Sequence, residues 1–259
     1  MKLTVHEWGD LNAPMVICLH GITGHGRRFR RLAEERLTRS HVLAPDLRGH
    51  GRSGWDPPWT IEAHVDDLRE TIHEPATWIG HSFGGRLLLE LAAREPKLVE
   101  RAVLLDPAIH VPAGYARQGA AEERAKQPFA SVEEAIASRV ESDDLMGPNR
   151  APREFLDEEM REHLVPHEDG LYRYRYSQDA VASAWMEMAA RPPAFDGVRL
   201  STLLVIGAES KLVSAGELEL YRSALGELLE VAVVPGGHMV YWDAFDETAD
   251  AVERFVTTY

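Results

Sequence analysis

The residues with the clearest chemical signal form the sequence Gly80-His-Ser82-Phe-Gly84, which follows the apolar run Ala76–Ile79 and precedes a stretch of helical period. A Gly-x-Ser-x-Gly sequence between a strand and a helix is typical of a nucleophile elbow, a sharp turn that exposes the serine hydroxyl. The turn strains the serine backbone, and glycines at positions 80 and 84 let the strand and the helix approach closely. Ser82 is therefore the candidate nucleophile, and the backbone N–H of Phe83 would face the substrate from a helix N-terminus.

The elements that must position this serine follow an alternating pattern along the chain. Short runs rich in Val, Ile and Leu alternate with stretches of helical period, which predicts an α/β protein with a mostly parallel sheet wound with helices. The predicted strands are Leu3–Glu7, Met15–Leu19, His41–Ala44, Ala76–Ile79, Ala102–Leu105, Thr202–Ile206 and Glu230–Val234. Ligands of such sheets bind at the carboxyl ends of the strands, so the loops there should carry the chemistry.

The pattern changes between about residues 110 and 196, where prolines are frequent and no run resembles a core strand. Ser131–Val140 and Ser177–Ala190 have helical period, and Tyr172, Tyr174 and Tyr176 alternate as in a short extended segment. A segment of this length is too long for a plain loop. We therefore expect a mainly helical insertion.

Composition excludes several classes of protein. The chain has 259 residues, of which 44% are hydrophobic and 27% charged, as in an ordinary globular protein. Its formal charge of −14 argues against nucleic acid or an anionic membrane as a partner. The single cysteine cannot form an internal disulfide, no apolar run is long enough to span a bilayer, and the N-terminus lacks the apolar run of a secretory signal. The expected compartment is therefore the cytoplasm.

With three further motifs, the chain resembles the α/β-hydrolase superfamily. His20-Gly21-Ile22-Thr23-Gly24 follows a strand, as the oxyanion loop does in that family. The sequence from Asp46 to Ser53 resembles the family's glycine-rich turn, and Gly236-Gly237-His238 lies between the last strand and the last helix, where the family has its catalytic histidine. The resemblance implies a doubly wound sheet with a mainly helical cap inserted after the sixth strand. The implied division is a core of residues 1–109 and 197–259 and a cap of residues 110–196.

The resemblance also implies roles for individual residues. His238 would be the general base for Ser82, and the backbone N–H groups of Ile22 and Phe83 would form the oxyanion hole. The cap would cover the strand ends, with Trp185 and Met239 as candidate pocket residues. Only one predicted strand precedes Met15, so the first of the family's usual eight strands should be missing.

The acid of the triad is open at this stage. The family usually has an aspartate after the penultimate strand, but Ser210 occupies that place here, between Glu209 and Lys211. The alternative position in the family is the end of the strand after the elbow helix, where this chain has Asp106. Asp106 keeps the chain order serine, acid, histidine. We expect Asp106 to be the acid, with Glu209 or no acid as alternatives.

Other histidines are interpreted differently. His20 and His50 belong to the matching motifs and are expected to position loops, whereas His81 is expected to contribute packing. No group of residues has the spacing of a metal site, and glycine-rich phosphate loops are absent from the sequence.

These observations predict a serine hydrolase that acts on an uncharged, small to medium carboxylic ester through an acyl-enzyme and without a cofactor. A lactonase, a thioesterase or a carbon–carbon bond hydrolase would use the same triad. A cofactor-free lyase or oxidative enzyme, or a ligand-binding protein without catalysis, are the remaining alternatives. The expected partner is a small ester-like molecule.

Overall fold

A computed structural model describes residues 1–140, 146–147, 150–192 and 199–258 of the chain. These residues form nine strands: β1 (Val5–Trp8), β2 (Met15–Leu19), β3 (His41–Pro45), β4 (Ala76–His81), β5 (Val99–Leu105), β6 (Leu164–Pro166), β7 (Tyr172–Tyr174), β8 (Ser201–Gly207) and β9 (Leu229–Val234). The α-helices are α1 (Arg30–Glu35), α2 (Ile61–Thr71), α3 (Phe83–Arg94), α4 (Ala113–Ala125), α5 (Val132–Val140), α6 (Arg153–His163), α7 (Gln178–Met188), α8 (Ala215–Leu225), α9 (Val240–Asp243) and α10 (Phe245–Thr257). None of these helices is long and apolar enough to cross a membrane.

Seven strands form one sheet in the order β1-β3-β2-β4-β5-β8-β9. β1 is antiparallel to β3, and the other neighbouring strands are parallel. The predicted α/β fold with a mostly parallel sheet is therefore confirmed. As expected, β1 is the only strand among the described residues that precedes β2, so β5 corresponds to the sixth strand of the family.

Alternation of side chains along the central strands divides the core into two layers. Ile17 and Leu19 of β2 pack with apolar side chains of α2, α3 and the segment between β5 and β8. Val16 and Cys18 face the opposite side and pack with α1 and α10. Strands buried on both faces read as continuous apolar runs, which is why the sequence predicted them well.

The strand order places the loop after β2 next to the loop after β4. β3 and β4 lie on opposite sides of β2, so the chain winds in opposite directions from this central position. The loops that follow β2 and β4 therefore leave the same carboxyl edge as neighbours, which is the position where α/β sheets bind ligands.

The segment between β5 and β8 is mainly helical, as predicted, and contains α4 to α7 and the β6-β7 hairpin. Backbone hydrogen bonds join it to the core, from Gly51 N to Arg175 O (2.8 Å) and from Ser177 N to Gly49 O (2.8 Å). The predicted end of the insertion, at residues 196–197, lies outside the described residues. Helices α4 and α6 were not predicted, because their buried positions include Glu123 in one and Glu159 and His163 in the other, which interrupt the apolar periodicity.

Candidate active site

The elbow between β4 and α3 places Ser82 at the N-terminus of α3. Ser82 has φ 55° and ψ −120°, a left-handed backbone conformation that is strained for a residue with a side chain. A Cβ atom on Gly80 would lie 2.5 Å from the carbonyl oxygen of Gly84, and one on Gly84 would lie 2.3 Å from that of Leu19. Both positions therefore require glycine, as the sequence pattern predicts.

The loop after β2 is oriented by His20. The backbone N–H of Leu47 donates to His20 Nε2 (2.9 Å), so the proton of the neutral ring must be on Nδ1. Nδ1–H then donates to the carbonyl oxygen of Gly21 (2.8 Å), which also accepts a hydrogen bond from Gly24 N (2.9 Å). Burial lowers the pKa of His20 well below its usual value, which keeps the ring neutral and this tautomer in place.

This arrangement turns the N–H of Ile22 away from the fixed Gly21 carbonyl, because the two groups point in opposite directions across a trans peptide. Within the described part of the chain, neither this N–H nor that of Phe83 meets a hydrogen-bond acceptor. The loop also touches the serine, since a Cβ atom on Gly21 would lie 3.4 Å from Ser82 Oγ. Two available donors beside a serine are what an oxyanion hole requires.

His238 and Asp106 meet at the carboxyl edge of the sheet. His238 Nδ1 lies 2.7 Å from Asp106 Oδ2, and Asp106 is fully buried. Because the carboxylate accepts a hydrogen bond from Nδ1–H, the Nε2 lone pair of a neutral His238 is available to take a proton. His238 and Ser82 line the same cavity.

The carboxylate of Asp106 is held by two further donors, one from the last residue of β8 and one from the loop that follows it. Ser210 Oγ donates to Oδ2 (2.6 Å), and the backbone N–H of Gly207 donates to Oδ1 (3.2 Å). Ser210 occupies the place where the resemblance leads one to look for the acid. Its hydroxyl instead donates to the carboxylate of Asp106, which directly follows β5.

The alternative acid, Glu209, is oriented away from the histidine. Its carboxylate binds the guanidinium of Arg150 at 2.7 Å, and its side chain is 41% exposed. The cation that binds this carboxylate is Arg150, more than fifty residues earlier in the chain.

The cavity above Ser82 has a volume of about 380 Å³. Trp185 and Met239, the two candidate pocket residues, both lie on its wall. Further wall residues come from α4 and were not identified from the sequence: Tyr115, Gln118, Gly119, Glu122 and Glu123, followed by Lys126 just beyond the helix. Their spacing of three and four residues is that of a single helix face, which is a signal that requires α4 to be recognised first.

Comparison with known proteins assigns the chain to a family. The model of the alpha/beta hydrolase fold family matches residues 14–245. The chain belongs to this family. It is 34% identical over 249 residues to Lipase LipV of Mycobacterium tuberculosis, which covers 93% of this chain and 92% of the lipase. It is 27% identical to the sn-1-specific diacylglycerol lipase ABHD11 of Mus musculus, over 96% of this chain and 82% of that protein.

A solved structure of E-2-(acetamidomethylene)succinate hydrolase superposes on this alpha/beta hydrolase with a TM-score of 0.85 and 27% sequence identity, covering 98% of this chain and 94% of the other. These relatives are named as lipases or as a hydrolase, which identifies this chain as a hydrolase.

In this alpha/beta hydrolase, His81 does more than fill space. Its Nε2 donates to the backbone carbonyl oxygen of His238 (3.1 Å), and the two rings lie 4.5 Å apart. Burial lowers the pKa of His81 well below its usual value, so the ring stays neutral beside His238. His81 therefore helps to hold the backbone at His238 in place.

A cluster of buried polar residues joins α6 to the loop after β2. Glu159 of α6 accepts hydrogen bonds from Arg28 Nε (2.7 Å) and His25 Nε2 (3.0 Å). Arg28 Nη2 and His163 Nε2 both donate to the carbonyl oxygen of Thr23, at 2.9 and 3.0 Å.

The ligand atoms of His25, Glu159 and His163 all lie within 4.8 Å of one another, a distance that is compatible with a metal site. The guanidinium of Arg28 already neutralises Glu159, however, and its positive charge opposes a cation there. The contacts favour an ion pair that attaches α6 to the core.

Proposed function

We propose that this alpha/beta hydrolase cleaves uncharged carboxylic esters through an acyl-enzyme, with Ser82 as nucleophile, His238 as general base and Asp106 as the acid that orients the imidazole. The observation that carries the proposal is the contact of 2.7 Å between His238 Nδ1 and Asp106 Oδ2, beside a cavity that Ser82 and His238 share. This contact leaves Nε2 as the basic nitrogen, which is the tautomer that general-base catalysis requires.

In the first half of the reaction, Ser82 Oγ attacks the ester carbonyl carbon while its proton passes to His238 Nε2. The carbonyl oxygen becomes an oxyanion, which the N–H groups of Ile22 and Phe83 would stabilise. Each such donor typically contributes about 10²–10³ in rate. Asp106 stabilises the imidazolium that has formed.

Collapse of the tetrahedral intermediate breaks the bond to the alcohol oxygen, which takes the proton from His238 Nε2 and leaves as the free alcohol. A water molecule then attacks the acyl-enzyme, giving its proton to the same nitrogen. The second collapse returns the proton to Ser82 Oγ and releases the carboxylic acid, so the enzyme is regenerated unchanged.

An uncharged ester is favoured by several of the residues that line the cavity. Ile22, Tyr115, Trp185 and Met239 present apolar surface to the cavity, and burying a charged group against such surface is costly. The relatives named as lipases support an ester as the substrate.

We further propose that residues 1–109 and 197–259 form the catalytic core and residues 110–196 a cap. The position of α4 to α7 and of the β6-β7 hairpin between β5 and β8 supports this division.

Labelling with a fluorophosphonate probe tests the nucleophile, and hydrolysis of p-nitrophenyl butyrate tests the activity. We expect the probe to attach to Ser82 in the wild-type chain and not in Ser82→Ala. Attachment at another serine, or equal turnover of the ester by Ser82→Ala, would refute the proposal. A parallel assay with the matching thioester separates an esterase from a thioesterase.

A further inference from the structure

Glu123 is a buried acid of the cavity that the reaction above does not use. It lies on the face of α4 that lines the cavity, in the last turn of that helix. Glu123 is only 4% exposed to solvent. A buried carboxylate in a substrate cavity requires an explanation, because taking a charge out of water is costly unless its oxygens are hydrogen-bonded.

One carboxylate oxygen of Glu123 has a clear partner. Oε2 accepts a hydrogen bond from Lys126 Nζ (2.6 Å), and the same ammonium donates to Tyr176 Oη (3.1 Å). The backbone carbonyl oxygen of Glu123 accepts a hydrogen bond from Gln178 Nε2 (2.9 Å). Both the side chain and the backbone of Glu123 are therefore held in place by neighbouring residues.

The other oxygen, Oε1, is buried and meets no hydrogen-bond donor among the described residues. A buried acceptor left without a partner costs free energy, so a protein is expected to keep one only where something else supplies the donor. Glu123 lines the cavity that Ser82 and His238 share, which is the space where a substrate would lie. The substrate is thus a natural source of the missing hydrogen bond.

Charge limits what that donor is. The Glu123 carboxylate is neutralised by Lys126, so the pair offers little attraction to a second ammonium group. A carboxylate oxygen accepts hydrogen bonds and cannot donate one, so it gains nothing from an ether or ester oxygen. A neutral O–H or N–H group fits both conditions.

We propose that Glu123 Oε1 accepts a hydrogen bond from a neutral O–H or N–H group of the substrate, and that this contact makes the enzyme selective for esters that carry such a donor away from the scissile bond. This proposal rests on the esterase function proposed above. A site that hydrogen-bonds a substrate group discriminates strongly against an analogue without it, because the buried oxygen then stays unpaired.

Matched esters test the proposal. The first series consists of 3-hydroxypropyl, 3-acetamidopropyl and 3-methoxypropyl butyrate, which share an acyl group and differ in whether the alcohol part donates O–H, N–H or nothing. Ethyl 3-hydroxybutyrate and ethyl 3-methoxybutyrate make the same comparison on the acyl side. For the wild-type enzyme we expect kcat/KM to favour the donor over the methoxy ester by about tenfold in at least one series.

Substitutions of Glu123 should remove this preference in a graded way. Glu123→Gln keeps an uncharged acceptor, so the preference should fall to about threefold. Glu123→Met keeps only a thioether sulfur, which is a weak acceptor, so the preference should fall to about one. If Glu123→Met does not fold, Glu123→Gln decides the question by itself. Arg124→Gln, on the exposed side of the same turn, is the matched control and should keep the wild-type preference.

Two results would overturn the proposal while leaving the esterase function intact: hydrolysis of all five esters by the wild type without preference, or an unchanged preference in Glu123→Gln. Hydrolysis of none of the five esters by the wild type would overturn the proposed function together with this inference.

Discussion

Two sides of the cavity differ in how their buried carboxylates are hydrogen-bonded. The core wall consists of Ser82 and His238, with Asp106 behind the histidine, and the cap wall consists of the lining residues of α4. On the core side, Asp106 accepts hydrogen bonds from His238, Ser210 and the Gly207 backbone. On the cap side, Glu123 has a partner for one oxygen and none among the described residues for the other. The carboxylate of the core wall thus has its hydrogen bonds before a substrate arrives, whereas the carboxylate of the cap wall gains its missing hydrogen bond from the substrate.

The difference corresponds to two tasks. Stabilising a transition state requires donors and acceptors that are already in place, since reorganisation during the reaction would raise the barrier. Selecting a substrate requires a group that only the correct molecule satisfies. Changes in the core wall should therefore lower turnover for every ester, and changes in the cap wall should alter the ratio between esters.

The largest effect is expected for Ser82→Ala. Removing the nucleophile should lower kcat for all esters by about 10⁶. The melting temperature should stay close to that of the wild type, because the Ser82 side chain makes no capping hydrogen bond to α3. Calorimetry of the variant provides the folding control. Residual turnover within tenfold of the wild type would show that the core wall does not act through Ser82.

Asp106→Asn should lower kcat by about 10⁴, because the amide can donate a hydrogen bond to His238 and so favour the tautomer that leaves Nε2 protonated. Glu209→Gln is the matched control, since Glu209 binds Arg150 at the surface, and it should change kcat by less than about twofold. A reversed result, with Glu209→Gln impaired and Asp106→Asn active, would assign the acid to Glu209.

Ser210→Ala should have a smaller effect of the same kind. Its hydroxyl is one of three donors to Asp106, and loss of a hydrogen bond to a charged group typically costs enough for a decrease in kcat of about tenfold. The preference among the matched esters should be unchanged. A changed preference with normal kcat would indicate that Ser210 belongs to substrate binding.

The last prediction concerns the pH dependence of the free energy of unfolding, where no effect on the chemistry of the site is needed. Burial lowers the pKa of His64 to about 3 and the pKa values of His20, His50 and His81 below the usual range. As pH falls below about 6.5, the unfolded chain therefore binds protons that the folded chain does not. The free energy of unfolding should then decrease by at most about 1.4 kcal/mol per pH unit for each such histidine.

Urea midpoints measured at about pH 7.5 and about pH 5.5 check this expectation, and His64→Leu should reduce the difference between them. A midpoint that is higher at the lower pH would contradict it.

The parts of the site that the sequence predicted are those encoded by adjacent residues. The elbow around Ser82 and the loop at Gly21 and Ile22 each depend on a short motif whose backbone requirements are local. Asp106 was chosen because the family resemblance gives the end of the strand after the elbow helix as an alternative position for the acid, and because Asp106 keeps the chain order serine, acid, histidine. The central strands were predicted for a similar reason, since burial on both faces leaves a continuous apolar run.

The parts that escaped prediction depend on residues distant in the chain. Ser210 contacts a carboxylate 104 positions away, and His25 meets Glu159 across 134 positions. No spacing rule connects such pairs. Helix α4 escaped because its cavity face carries Gln118, Glu122 and Glu123, so its most informative positions look like an exposed surface until the cavity is known.

The attachment of α6 has a consequence for the path by which substrates enter. Moving Glu159 away from Arg28 would leave a buried charged group without its ion-pair partner, which typically costs about 3–5 kcal/mol. The same displacement would separate the carbonyl oxygen of Thr23, the residue after Ile22, from its donor His163. Movement of α6 would therefore loosen the loop that carries Ile22. Substrates should enter the cavity on the side of the cap away from α6, where their passage leaves the loop at Ile22 undisturbed.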